Sequence, residues 1–218
     1  MRAHIRIIGV ATATAALVAG SMGAATAGGV NLKDRRHDVI VGPGGGHTSA
    51  KVKTFARQTD VTALRFTVGV KYVSMRVTFA QLKRSATYSV AADIAEEYAT
   101  LPGFSGLAIT VAPGGASTVS TSYRSPTGGH TCGDPGTPAI TTTVTYGKNG
   151  NVFVQMPFDC IDLPGVNPRV FGENGETRRW RARATVNSST PGTRKGFADP
   201  VSRTKAKLPS WTRYVFAG

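Results

Sequence analysis

From Asp60 the chain alternates between apolar and polar positions. Thr62, Leu64, Phe66 and Val68 share one side of an extended run, with Arg65 and Thr67 on the other. After Gly69-Val70-Lys71, the residues Val73, Met75, Val77 and Phe79 alternate with Ser74, Arg76 and Thr78. Successive side chains of a strand point to opposite faces, so these runs predict two strands joined as a hairpin, each burying one face. The pattern recurs at Tyr88, Val90, Ala92 and Ile94, then at Leu107, Ile109 and Val111, and at Val119, Thr121 and Tyr123. It returns at Ile140, Thr142, Val144 and Tyr146. Beyond the turn Gly147-Lys148-Asn149-Gly150-Asn151 it continues at Val152, Val154 and Met156, and last at Trp180, Ala182, Ala184 and Val186. About eight short strands with turn residues between them predict an all-β domain, an antiparallel β-sandwich of jelly-roll or Ig-like type. Ala91 to Thr100, with Glu96-Glu97, is the one helix candidate; it is short and poorly amphipathic, and is read as a strand end followed by a loop.

The ends differ from this middle. Arg2 and Arg6, the apolar and small residues Ile7 to Val18, and Ala25-Thr26-Ala27 have the layout of an export signal, with cleavage expected after Ala27. Ala, Gly and Thr dominate the segment and favour lipid only weakly, which argues against a retained membrane helix. Residues 28–50 are expected to be a flexible N-terminal segment around Gly42-Pro43-Gly44-Gly45-Gly46. No Gly-Lys-Ser/Thr follows that run, so it does not read as a phosphate loop. The sandwich domain is assigned to residues 51–186. Residues 187–218 form a basic segment of little periodicity, expected to be partly docked through Trp211, Tyr214 and Phe216.

Export changes the meaning of composition. Removing residues 1–27 leaves 191 residues, with 24 Lys and Arg against 12 Asp and Glu. That balance suits an anionic partner: a cell-wall polymer or acidic glycan first, nucleic acid a lesser choice. A monomer without a transmembrane segment is expected. The two cysteines, Cys132 and Cys160, read as one disulfide in an exported chain, worth roughly 3–4 kcal/mol through the unfolded state. The spacing His130-Thr131-Cys132 offers a metal site only two ligands, with no others near.

The positive charge is concentrated late. Arg178 to Gly218 contains ten Lys and Arg and one acid, Asp199. With Trp180, Ala182, Ala184 and Val186 directed inward, Arg179, Arg181 and Arg183 point outward together, roughly 7 Å apart. These three arginines, extended by Lys205 and Lys207, are the candidate anion-binding residues. A competing use of such a row is to protect a sheet edge from pairing with another chain.

Catalytic patterns are weak. Gly103-Phe104-Ser105-Gly106-Leu107 lacks the final Gly of a nucleophile elbow. His37, His47 and His130 have no helical metal spacing. Paired carboxylates from Asp93, Glu96 and Glu97, or Asp159 and Asp162, would suit a glycan hydrolase, but turn and surface roles explain them as well. A calcium site from Asp34 and Asp38 is a minor alternative, because Arg35 and Arg36 lie between them and would repel the ion. No catalytic residue, metal or cofactor is assigned.

The opening Asp34 to Asp38, the strand pair Asp60 to Leu82, and Pro157-Phe158-Asp159-Cys160 followed by Pro164 to Val170 resemble small secreted actinobacterial proteins of unknown function with a β-sandwich fold. In those proteins the late segment reads Val-Pro-Arg-Ser-Cys-Leu-Gly. Here Met156 to Asp162 keeps the Pro and the Cys and loses the basic residue. The resemblance implies fold and export and transfers no activity. The expectation is therefore a secreted, non-catalytic binding module. A glycan hydrolase and a protein-interaction domain are the alternatives.

Overall fold

The computed structural model describes residues 28–34, 36, 38–41, 50–69, 71–96, 105–114, 119–124, 139–157, 179–189, 196–203 and 208–216. The segment 1–27 expected to be an export signal, Cys132 and Cys160, Lys205 and Lys207, and the pair Asp159 and Asp162 lie outside these residues.

Fourteen strands and one helix make up this part of the chain. The eight strands expected from alternation are β3 (Val61–Val68), β4 (Tyr72–Phe79), β6 (Thr87–Glu96), β7 (Ser105–Val111), β8 (Val119–Arg124), β9 (Thr141–Thr145), β11 (Asn151–Pro157) and β12 (Arg179–Ser189). Six more come from stretches with weaker patterns: β1 (Gly28–Lys33), β2 (Ile40–Val41), β5 (Gln81–Leu82), β10 (Gly147–Lys148), β13 (Gly196–Pro200) and β14 (Val215–Phe216). One sheet has the order β1-β3-β4-β11-β9 and the other β2-β13-β12-β6-β7-β8, with β14 pairing β12. Every pairing is antiparallel, and β10 and β5 form a small third sheet.

The apolar sets meet between the two large sheets. Leu64, Val77, Tyr88, Val90, Ile109, Val152 and Val186 belong to one buried cluster; Phe66, Val73, Met156, Trp180 and Ala182 belong to a second. Burial alternates residue by residue along β4, β11 and β12, as period two requires. β3 departs once, where a bulge between Val61 and Ala63 shifts its register against β4 and lets Val61 join the core. Tyr88 is wholly buried; the Lys83 N–H donates to its hydroxyl at 3.0 Å, and its ring meets Phe79 edge to face at 5.5 Å.

Two expectations for the N-terminal stretch are corrected. Gly28–Lys33 is not irregular: β1 pairs with β3 along its full length and buries Leu32. Ala50–Thr59 is an α-helix, α1, and packs against β13 and β5. Its last residues, Gln58 and Thr59, are buried, and the Asp60 N–H continues the helical hydrogen bonding to Ala56 O before β3 starts. The helix candidate Ala91 to Thr100 is strand as far as Glu96, in line with its reading as a strand end.

Candidate functional site

β12 carries the three candidate arginines, and its place in the sheet decides what they can do. It pairs with β6 from Trp180 to Ser189. Its opposite side pairs with β13 at Thr185 to Ser189 and with β14 at Arg179 and Trp180. Between those two stretches the chain itself closes the gap. The Val201 N–H donates to Ala184 O at 3.0 Å, and the Thr212 N–H to Ala182 O at 2.8 Å. The Thr212 hydroxyl then accepts from the Ala182 N–H at 3.0 Å. A strand paired on both sides needs no guarding charges, so edge protection does not account for the arginines.

Thr212, held at Ala182, fixes the residues around it. Its neighbours Trp211 and Tyr214 lie beside the outward row of β12. The Arg181 and Arg183 guanidiniums each stand 4.6 Å from the Trp211 ring centroid; Arg181 and Arg179 stand 5.0 and 5.2 Å from that of Tyr214. The five groups therefore alternate: Arg183, Trp211, Arg181, Tyr214, Arg179. The spacing has a simple origin. Alternate residues of a strand are about 6.8 Å apart, which leaves room for one flat ring to enter between successive arginines. Each cation–π contact contributes about 0.5–1 kcal/mol at a partly exposed site.

The N–H groups of the guanidiniums are the hydrogen-bonding surface of this row. Arg183 uses its Nε on Asp93, its register partner on β6, at 2.8 Å. Both side chains are about one-third exposed, so this ion pair adds little stability by itself. The buried Arg181 Nε donates to no group among the described residues, and the rings on either side hold that side chain in place. Among the described residues, three cations and one carboxylate leave the face positive. Of the sequence candidates, the structure thus joins Arg179, Arg181 and Arg183 and adds Asp93, Trp211 and Tyr214. The odd spacing of the arginines was visible in the sequence, but the pairing of Trp211 and Tyr214 with them was not.

The carboxylates proposed as a hydrolytic pair are not assembled in the described residues: Asp93 is engaged by Arg183, and Glu97, Asp159 and Asp162 lie outside them. Farther along the outward face of sheet β2-β13-β12-β6-β7-β8, an open pocket is lined by Ile40, Ser89, Asn187, Ser189, Phe197 and Ala198. It holds no ionisable group.

A second charged cluster joins the residues after β1 to β13. A carboxylate oxygen from each of Asp34, Asp38 and Asp199 lies within 4.8 Å of the others. Asp199, on β13, is completely buried, and its Oδ2 accepts the Val61 N–H at 2.6 Å. Asp34 accepts the Ser202 N–H at 2.5 Å. Burial first, and then the negative charges of Asp34, Asp38 and Asp60, push the Asp199 pKa up to about 8, against the Val61 hydrogen bond, which lowers it.

No helix among the described residues is long and apolar enough to cross a membrane. The chain matches no family model, no curated protein and no solved structure.

Proposed function

We propose that this chain is a secreted, non-catalytic binding module whose stacked arginines take an anionic polymer, in the first place a cell-wall polymer or acidic glycan. The observation that carries the reading is the alternation of Arg179, Arg181 and Arg183 with Tyr214 and Trp211, with the Asp93 carboxylate paired to Arg183. Holding a guanidinium in advance reduces the side-chain entropy lost on binding, and its planar fork suits carboxylate and phosphate oxygens. A row with repeated spacing suits a ligand with repeated charge. The export layout of residues 1–27 supports an extracellular partner.

Retention of the purified protein on an anionic wall fraction at rising salt tests the reading. Wild type is expected to be held and then released by salt, while Arg179→Gln, Arg181→Gln and Arg183→Gln combined elutes much earlier. Equal elution of the two proteins overturns it.

A further inference from the structure

Asp34 and Asp38, just past β1, bring their carboxylates to that of Asp199 on β13. All three donors are hard oxygens, and one oxygen from each fits within 4.8 Å. A calcium ion with ligands at about 2.3–2.6 Å has a coordination sphere roughly 4.6–5.2 Å across, whereas that of magnesium is nearer 4.1 Å. The three oxygens, mutually within 4.8 Å, fall inside the span of a calcium sphere.

A second observation points the same way. Asp199 is wholly buried, and while its Oδ2 takes the Val61 N–H, its Oδ1 has no hydrogen-bond partner among the described residues. A buried carboxylate oxygen facing two more carboxylates calls for a proton or a cation. Arg36, one of the two arginines between Asp34 and Asp38, is exposed. Backbone N–H groups of Val61 and Ser202 orient Asp199 and Asp34 through one oxygen each, the second-sphere support that carboxylate ligands use.

We propose that Asp34, Asp38 and Asp199 form a calcium site that ties the segment between β1 and β2 to β13. Such a site is independent of the arginine stack, and oxygen-rich sites of this kind in extracellular modules bind calcium at about 10⁻⁴–10⁻³ M.

The test uses the full exported chain, stripped with chelator and titrated with calcium chloride or magnesium chloride. Calorimetry and thermal unfolding are the readouts. Expected is one saturable calcium per chain, with a melting temperature raised by roughly 5–10 °C at a hundredfold excess over Kd, and a smaller response to magnesium. Asp199→Asn and Asp38→Asn should each abolish the shift. Asp38 is only half-buried, so its variant decides the matter if the Asp199 variant does not fold. No saturable calcium up to about 10 mM, ten times the weak end of that range, overturns the proposal. So does a shift that survives Asp38→Asn, or one that magnesium matches.

Discussion

Thr212 and Ala182 exchange two hydrogen bonds, one from the Thr212 N–H to the Ala182 carbonyl and one from the Ala182 N–H to the Thr212 hydroxyl. A side chain thereby does for β12 what a neighbouring strand would otherwise do. Thr212→Val keeps the shape and removes the acceptor, leaving a buried N–H without its partner. The expected cost is about 1–3 kcal/mol, read as a lower urea midpoint. A midpoint equal to wild type would mean that water replaces the hydroxyl.

The rings should matter for binding as well as for stability. Trp211→Leu leaves net charge unchanged but removes the plate between Arg181 and Arg183. Loss of two cation–π contacts should cost about 1–2 kcal/mol of stability. Elution from an anionic wall fraction should also move to lower salt. Unchanged elution would show that charge alone, without stacking, holds the polymer.

Asp199 gives a pH dependence of definite sign in chelator-treated protein. Its folded value is about 8, against an ordinary 3.8. Between these values the native state keeps a proton that the unfolded chain has lost. Stability is therefore whole at the acid end of the window and declines as pH rises through it. Asp199→Asn should flatten that decline and equal or exceed wild type at the alkaline end. Urea midpoints at both ends of the window check this, and a variant that declines as steeply as wild type removes Asp199 as the cause.

The turn between β10 and β11 depends on a missing side chain. A Cβ at Gly150 would stand 2.6 Å from Thr145 O, 2.7 Å from Leu82 Cβ and 2.9 Å from Gly147 O. Gly150→Ala must push the backbone aside and should cost about 1–3 kcal/mol. Gly196, with nothing within 4 Å of such a Cβ, is the control, and Gly196→Ala should stay within about 0.5 kcal/mol of wild type. Thermal unfolding of the two variants separates a local clash from a general intolerance of alanine.

The strands legible in the sequence are those with four or so alternating apolar residues, because burying one sheet face demands that period. Trp180 lies inside and Arg181 outside it, as the pattern of β12 requires. β1 offered only Val30 and Leu32 amid Gly and Asn, too short a run to separate from a loop. α1 did leave a signal, since Val52, Phe55 and Ala56 fall at i, i+3 and i+4, but Lys and Thr around them made the stripe thin. Asp199 was hidden for another reason. In sequence it is a lone acid among bases, and its partner Val61 lies 138 residues earlier. Contacts of that separation depend on strand order, which local periodicity does not encode.

The interleaving of β12 with Trp211 and Tyr214 also sets an order of assembly. The arginines are synthesised ahead of the rings that will separate them. Until Val201 and Thr212 follow, the backbone of residues 181–184 has one side open and three cations unscreened in a row. The stack therefore closes only after Trp211 and Tyr214 have been made.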